Sequence, residues 1–367
     1  MYLHQHPKWP DFHFDFPKTY WALVDVRHHQ GKLLGQMQSL GFNLQKQAAL
    51  QNLTLDVLKS SEIEGEILNP EQVRSSIARR LGLDIGGGLI PADRNVEGIV
   101  DMMIDATQNY SEPLTAERLF RWHTALFPTN RYKMTIGAWR INAKDTPMQV
   151  VSGAIGNEIV HFQAPDSDKL DAEMQKFLDW VNSTDPMLDP VIKAAIAHLW
   201  FVTIHPFDDG NGRIGRAIAD MLLARADQTP YRFYSMSAQI RIERNAYYYM
   251  LEETQKNELD ITEWLAWFLQ CLDRSIAATD NTLAMVLKRK KFWDTFATEP
   301  LNERQKKMLS KLLDDFEGKL TSSKWAKMNK CSQDSAIRDI QDLITKGILE
   351  KEDSGGRNTN YALKELA

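Results

Sequence analysis

Residues 205–216 read HPFDDGNGRIGR and combine a histidine, carboxylates, small residues and two arginines in one short run. The preceding residues, 194–204, have the apolar texture of a buried helix, and Pro206 predicts that this helix ends at His205. An imidazole of near-neutral pKa at a loop entrance is suited to take a proton from a hydroxyl group. We therefore predict that His205 is a general base.

The residues after His205 predict a polyphosphate site. Asp209 supplies a carboxylate of the kind that Mg²⁺ accepts together with phosphate oxygens. Residues 210–212 open the next helix, where backbone N–H groups and the positive end of the helix dipole attract an anion. Two arginines one turn apart can neutralise phosphate charge. The predicted nucleotide-binding residues of this segment are Asp209, Gly210, Asn211, Gly212, Arg213, Ile214, Gly215 and Arg216.

This run resembles the signature of the Fic domain, a family of protein adenylyltransferases, and the resemblance covers roughly residues 60–290. The matching positions are His205, Phe207, Asp209, Gly210, Asn211, Gly212, Arg213 and Arg216. The resemblance implies transfer of AMP from ATP to a Ser, Thr or Tyr hydroxyl of a target protein, and of the enzyme itself. It implies His205 as the general base, Mg²⁺ on Asp209, and phosphates held by residues 210–216.

Residues 60–65 read SSEIEG and, taken alone, indicate a solvated helix end crowded with carboxylates. They also resemble the inhibitory motif of the family at Ser60, Glu64 and Gly65. That resemblance implies that Glu64 pairs with Arg216, occupies the guanidinium meant for the γ-phosphate and leaves ATP in an unproductive pose. Some relatives use the same glutamate to remove AMP, and the sequence leaves this second activity open.

Two further segments resemble parts of the family's nucleotide and target site. Short β-prone runs between residues 148 and 162 predict a hairpin with a turn at Gly156-Asn157, which matches the family's target-aligning flap. Its predicted nucleotide-edge residues are Val151, Ser152, Gly153 and Ala154. The resemblance also implies Tyr247 and Tyr248 against the adenosine and Gln255 near the purine. His198, by contrast, is interpreted as a core histidine rather than a metal ligand.

The sequence predicts a mainly α protein with a Fic-type helical core, a hairpin flap, an N-terminal helical region and a C-terminal winged helix. Asn69 is predicted to cap a helix that opens at Pro70, and Gly86-Gly87-Gly88 a surface loop. Other helices are predicted at about 18–58, 94–110, 115–127, 168–183, 187–204, 211–226, 242–256, 261–292, 302–316, 322–328 and 332–346. The predicted domains are the inhibitory region 1–92, the catalytic core 93–292 and the winged helix 300–367, whose hairpin turns at 353–356.

Composition bounds the class of protein. The chain has 367 residues, 43% of them hydrophobic, and a net charge of −5, which argues against a dominant attraction to nucleic acid or anionic membrane. It shows no secretory leader and no membrane-spanning run. Cys271 and Cys331 lie in unrelated contexts and form no zinc or disulfide framework. We therefore expect a cytoplasmic protein.

Alternatives remain for the function. The chain could be a transcriptional regulator that acts through the winged helix and senses nucleotide at the Fic domain. Its recognition helix carries three aspartates, Asp334, Asp339 and Asp342, against only Arg338 and Lys346, so docking of a protein is favoured over DNA. Transfer of UMP, phosphocholine or phosphate is a third interpretation, disfavoured by the intact motif. The resemblance also admits a homodimer.

Overall fold

The computed structural model of the chain describes residues 1–85, 88–129, 134–142, 146–153, 159–313, 316, 318–352 and 359–364, with positions 43 and 280–286 described by their backbone alone. Helices make up 63% of the structure, so the mainly α prediction is confirmed. The helices are α1 (Phe16–Gln38), α2 (Phe42–Ile63), α3 (Pro70–Leu81), α4 (Arg94–Gln108), α5 (Ala116–Leu126), α6 (Leu170–Asn182), α7 (Pro190–Ile204), α8 (Asn211–Asp227), α9 (Met236–Ile242), α10 (Arg244–Lys256), α11 (Thr262–Ala277), α12 (Thr279–Thr295), α13 (Glu303–Leu313), α14 (Ser322–Asn329) and α15 (Gln333–Thr345). The strands are β1 (Gln149–Ser152), β2 (Ile159–Gln163), β3 (Leu349–Glu352) and β4 (Asn360–Leu363).

Local capping signals place several helix starts as predicted. Asn69 Oδ1 accepts hydrogen bonds from the backbone N–H groups of Glu71 and Gln72, at 2.9 and 3.2 Å, and α3 opens at Pro70. These bonds satisfy donors that the first turn of a helix leaves unpaired. Asp189 caps α7 in the same way by accepting from Val191 N–H at 2.8 Å.

Two helix predictions differ from the structure. The single helix expected over 261–292 is divided into α11 and α12 at Ala278, where no proline or glycine marks the break. The short helix α9 was not predicted, although Ser235 Oγ accepts from Ala238 N–H at 3.0 Å and caps its start. Seven residues are too few to show a clear helical period. The turns predicted at Gly156-Asn157 and 353–356, and Gly86-Gly87, lie outside the described residues.

The described residues form two compact units, 1–81 with 90–280, and 82–89 with 281–367. In the first unit α7 is the central helix: all residues from Ala194 to Ile204 are buried, and α8 packs along it. Helix α2 packs against α3, α8 and α9, and α1 packs against α11. The first unit therefore holds every predicted site residue that the structure describes. The predicted domain boundaries at 92 and 292 stay predictions.

In the second unit, α13, α14 and α15 are followed by the antiparallel hairpin β3–β4, the order of elements that the sequence predicts. Trp325, Ile340 and Met308 lie in its buried apolar cluster. A bridge between Leu320 and Tyr361 joins the segment before α14 to β4. None of the helices in the described part of the chain is both long and apolar enough to cross a lipid bilayer.

Candidate active site

His205 lies at the C-terminal end of α7 in the left-handed conformation, with φ of 52°. Its ring Nδ1 is 3.2 Å from the carbonyl oxygen of Val202. Because a carbonyl only accepts hydrogen bonds, this contact assigns the proton to Nδ1 and leaves the lone pair on Nε2. Burial lowers the pKa of His205 to about 4, against the opposing effect of the Val202 carbonyl. The imidazole is therefore neutral near pH 7, as a general base requires.

Arg140 holds the loop that begins at His205. Its Nε donates to the carbonyl oxygen of His205 at 2.7 Å, and its backbone N–H donates to that of Pro206 at 2.9 Å. Its two terminal nitrogens donate to Pro165 O at 2.6 Å and Asn142 Oδ1 at 2.7 Å. The sequence analysis did not predict this clamp, because most of the hydrogen-bond partners of Arg140 are backbone carbonyls of distant segments.

The loop after His205 is closed by Phe207 and Asn211. Phe207 is fully buried and stacks on the ring of His123 at a centroid distance of 4.2 Å. Asn211 Oδ1 accepts from Phe207 N–H at 3.0 Å, and its Nδ2 donates to Phe207 O at 2.8 Å. Both polar atoms of the Asn211 side chain are thus used within the loop. The side chain, expected to hold phosphate, instead shapes the loop that presents the backbone.

His123 is a further residue that the sequence analysis missed. Its Nδ1 accepts from Gly137 N–H at 3.1 Å, which assigns the proton to Nε2, and Nε2 donates to Asp209 O at 3.2 Å. Burial lowers the pKa of His123 to about 4, so it holds these two bonds as a neutral ring. It therefore fixes the backbone that carries the Asp209 carboxylate.

Asp209 directs its carboxylate towards solvent, with 57% of the side chain exposed. Its Oδ1 accepts from Gly210 N–H at 2.6 Å, and Oδ2 is 3.7 Å from Arg213 Nη2. Within the described residues, no three His, Cys, Asp or Glu side chains are grouped as a metal cage. A single exposed carboxylate beside a phosphate cradle nonetheless fits Mg²⁺, which takes most of its ligands from phosphate and water.

The first turn of α8 is covered by Glu64. A β-carbon added at Gly212 would collide with Glu64 Oε1, so only glycine leaves room for this carboxylate. Arg216 is buried, and its Nη2 donates to Glu64 Oε1 at 2.8 Å and to Ser60 O at 2.9 Å. Burial raises the pKa of Glu64, but Arg216, Arg213 and Arg244 lower it by more, so the net pKa lies below its usual value.

The end of α2 is fixed around this ion pair. Ser60 is fully buried and its Oγ accepts from Arg216 Nε at 3.0 Å, while Gly65 has φ of 84° and turns the chain away. Arg244 Nε donates to Ile63 O at 3.0 Å. Glu64 of the predicted inhibitory motif therefore pairs with Arg216 as the resemblance implies, and Ser60 binds the same guanidinium.

Arg213 is also paired with a carboxylate from the N-terminal region. Its Nη1 donates to Glu66 Oε2 at 2.7 Å, a contact that the sequence analysis did not predict. A cavity of 390 Å³ adjoins this pair and is lined by Asp209, Asn95 and Thr129 among others. Both arginines of the motif thus hold N-terminal carboxylates.

Helices α2 and α8 face each other through polar residues at four-residue spacing on each helix. This spacing places successive side chains on one face of a helix, one turn apart. The facing positions are Glu64 with Gly212, Ser60 with Arg216, and Asp56 with Asp220. We call this set the α2–α8 ladder.

The predicted flap is the antiparallel pair β1–β2. Val151 is 48% exposed, Ser152 is exposed, and Gly153 has φ of 105°. Ala154 lies outside the described residues. Ser152 Oγ is 2.6 Å from His161 Nε2, and His161 Nδ1 is 2.7 Å from Glu252 Oε2, so the flap is anchored on α10.

The predicted nucleotide residues on α10 lie in different environments. Tyr248 is 36% exposed, and Arg244 lies over its ring at 5.0 Å from the centroid. Tyr247 is buried, and its hydroxyl is 2.9 Å from His198 Nε2. Gln255 is buried and donates to Thr203 Oγ1 at 3.1 Å. The inner face of α10 thus turns the Gln255 side chain towards the core, and its place near the purine stays a prediction.

Two further predicted residues are core residues. Ile214 is fully buried, and a β-carbon at Gly215 would lie 2.9 Å from Val202 Cγ1, so both serve the close packing of α8 on α7. His198 stacks on Trp264 at 5.7 Å and is buried, which agrees with its interpretation as a core histidine.

Comparison with known proteins places this site in a family. A sequence profile of the Fic/DOC family matches residues 113–223, and a domain of unknown function (DUF4172) matches residues 2–83. The protein adenylyltransferase Fic of Nematostella vectensis is 37% identical over 117 residues, which are 31% of this chain and 25% of that protein. The chain thus spans about a quarter of the length of this curated relative.

Solved structures share the fold. The structure of a Fic family protein from Desulfovibrio desulfuricans G20 matches 94% of this chain and 97% of that one, at 20% identity and a TM-score of 0.51. That of a Fic domain-containing signaling protein from Bacteroides thetaiotaomicron VPI-5482 matches 71% and 97%, at 20% identity and a TM-score of 0.53. Together with the profile match around His205, these findings lead to one assignment: the chain carries a Fic/DOC domain over residues 113–223.

Proposed function

We propose that this chain is a protein adenylyltransferase, which moves AMP from ATP to a Ser, Thr or Tyr hydroxyl of a target protein and of itself, and is restrained by α2. The observation that carries this proposal is the Glu64 carboxylate on the first turn of α8, paired with Arg216. A turn that accepts a carboxylate has the charge and the space to accept a phosphate group. The curated relatives, named as adenylyltransferases, support the same chemistry.

The reaction uses a neutral imidazole at the edge of this turn. His205 Nε2 takes the proton of the target hydroxyl, whose oxygen attacks the α-phosphorus of ATP. The new oxygen–phosphorus bond forms as the bond to the β-phosphate breaks, and pyrophosphate leaves. Such a displacement needs positioning and charge neutralisation more than covalent catalysis. The clamp by Arg140 supplies the positioning of His205.

Charge neutralisation falls to the motif that follows. Asp209 would hold Mg²⁺, which, when bound, neutralises phosphate oxygens. Arg213 and Arg216 pair with the outer phosphates by bidentate hydrogen bonds. Tyr248 and the exposed β1 residues Val151 and Ser152 provide the adjoining surface for the base and for a target segment added to the flap.

Restraint follows from competition for the same guanidinium. While Glu64 occupies Arg216, the γ-phosphate meets a carboxylate instead of a cation, and ATP binds in an unproductive pose. The negative charges of the Glu64 carboxylate and the γ-phosphate repel each other, and more strongly as water is excluded from between them. Ser60 accepts a hydrogen bond from the same Arg216, and Gly65 turns the chain directly after Glu64, so α2 acts as a built-in inhibitor.

The experiment that tests this function is incubation with α-labelled ATP, Mg²⁺ and a cell lysate, followed by mass spectrometry of labelled proteins. His205→Ala is expected to abolish AMP transfer while ATP still binds, and His28→Ala, at an exposed position on α1, serves as the matched control. Full transfer by His205→Ala would reject the proposal. Labelling from UTP in preference to ATP would redirect it to UMP transfer.

A further inference from the structure

The acidic residues of α15 are mostly neutralised inside the second unit. Asp339 is buried and accepts from Arg304 Nε and Nη2 at 2.7 and 2.9 Å and from Asn302 Nδ2 at 2.9 Å. Asp342 accepts from Lys346 Nζ at 2.6 Å. The sequence counted both aspartates against nucleic acid, but in the structure neither presents an unpaired charge. That objection therefore fails for two of the three.

The outward face of α15 carries groups suited to reading base edges. Gln333, Arg338 and Gln341 are exposed, and Ile337 is 47% exposed between them. Arginine pairs bidentately with guanine and glutamine with adenine, while an apolar side chain contacts the thymine methyl group. Asp334 and Asp342 are the exposed acidic residues of α15, and Asp342 is paired with Lys346.

The segment around α14 and α15 has an excess of positive charge. Between residues 319 and 346 there are six basic and three acidic side chains. Apart from the ion pairs of Asp339 with Arg304 and of Asp342 with Lys346, and from Lys324, which lies over the Phe316 ring, the basic residues of this segment are Lys319, Lys327, Lys330 and Arg338, against Asp334. Three of these four cations lie on or beside α14 and not on α15. A partner that binds α15 is therefore flanked by positively charged side chains, which favours a polyanion such as nucleic acid.

The two helices are joined as in a helix-turn-helix. Three residues separate the end of α14 from the start of α15, and Lys330 among them adopts φ of 50°. Gln333 Nε2 donates to Ser322 Oγ at 2.7 Å, which brings the two helix N-termini together. In this motif the first helix crosses the phosphate backbone and the second enters the major groove, with its N-terminal residues at the bases.

We infer that the second unit binds duplex DNA, with α15 in the major groove and the lysines of α14 on the phosphates. The inference does not depend on the proposed AMP transfer, because it uses none of the residues around His205. It replaces the interpretation of this unit as a protein-docking module.

The test uses the full chain and a fluorescently labelled random-sequence DNA duplex, with anisotropy measured at rising KCl. The logarithm of the binding constant is expected to fall linearly with the logarithm of salt concentration. Lys319→Ala and Lys327→Ala should each weaken binding and reduce the salt slope by about 1. Lys288→Ala, an exposed lysine of α12 outside the motif, should leave both unchanged. Circular dichroism checks that each variant is folded.

A second readout separates base contacts from phosphate contacts. Sequences enriched from a random duplex pool by the wild-type chain should be bound less selectively by Arg338→Ala, with the salt slope kept. Absence of duplex binding at low salt would overturn the inference. So would equal losses for Lys288→Ala and Lys327→Ala, since binding would then be a property of overall charge.

Discussion

The carboxyl groups of Asp56 and Asp220 face each other between α2 and α8, at the end of the α2–α8 ladder away from Glu64. Asp56 Oδ1 accepts from Ser235 Oγ at 2.6 Å and from Ser237 N–H at 3.1 Å. Asp220 Oδ1 accepts from Arg232 Nη2 at 3.0 Å. Burial first, and then the charge of Asp56, raise the pKa of Asp220 well above its ordinary value. Asp220 thus keeps its proton under conditions where an exposed aspartate has lost it.

This raised pKa predicts that stability declines as pH rises. In the unfolded chain the pKa of Asp220 is near its ordinary value of 3.8. Its contribution to the free energy of unfolding is therefore complete below that pH and is lost as pH rises through the higher pKa of the folded state. The slope for one proton is at most about 1.4 kcal/mol per pH unit. Asp220→Asn should remove this slope from the free energy of unfolding, measured by urea denaturation at several pH values. Asp171→Asn, on the exposed face of α6, should keep the slope of the free energy of unfolding against pH. Equal slopes in the two variants would contradict the raised pKa of Asp220.

Removal of the Glu64 side chain should release the enzyme. Glu64→Gly frees Arg216 for phosphate and removes the carboxylate from the first turn of α8. Because a hydrogen bond to a charged group contributes roughly 1.5–3 kcal/mol, the rate of AMP transfer should rise about tenfold or more. The rate of label incorporation from ATP measures this. Glu62→Gln, which alters the carboxylate bonded to Lys59 on the same helix, is the control and should leave the rate unchanged. If Glu64→Gly is no faster than wild type, the restraint is not at Glu64.

The acid limb of the pH profile should report His205. Because burial lowers the pKa of His205 to about 4, kcat/KM of the released Glu64→Gly variant should stay level from neutral pH downward and fall only near that value. The charge of Glu64 raises the pKa of His205, so removal of Glu64 does not shift the acid limb of the profile to higher pH. Steady-state rates across a pH series test this, with circular dichroism to confirm folding. A limb near 6.5 would mean that His205 titrates as an exposed histidine.

Loss of the Arg140 clamp should cost both stability and activity. Arg140→Ala leaves the carbonyl groups of His205 and Pro165 without their buried donor, and each unsatisfied group costs about 1–3 kcal/mol. We expect a destabilisation of about 2–4 kcal/mol in urea denaturation, and loss of AMP transfer at temperatures where the variant is still folded. Arg121→Ala, at an exposed position of α5, should change stability by less than about 0.5 kcal/mol. Equal effects of the two substitutions would remove Arg140 from the site.

What the sequence could predict was local. The cap at Asn69, the end of α7 at His205 and the glycine turn before α8 follow from side chains acting on neighbouring backbone. The contact of Ser60 and Glu64 with Arg216, some 150 residues away, followed only from the family resemblance. Each was visible because a fixed residue pattern accompanies it.

What the sequence could not predict depends on tertiary contact. Arg140 binds backbone carbonyls, which any residue type supplies, and His161 reaches Glu252 across 91 positions. Likewise, the sequence does not show that the packing of α10 turns the Gln255 side chain to Thr203. Asp339 was interpreted as a surface charge, but its carboxylate accepts a hydrogen bond from Arg304. Burial, and not residue type, decided each of these positions.

Under the proposed restraint, the α2–α8 ladder serves both inhibition and the stability of the first unit. Any substitution that uncovers the phosphate-binding turn by loosening α2 also removes part of the packing and hydrogen bonding that hold the first unit together. A hyperactive form obtained in this way would be more heat-sensitive and more readily degraded than its quiescent parent. Variants activated in this way would be less abundant in the cell than the restrained protein, because they are degraded faster.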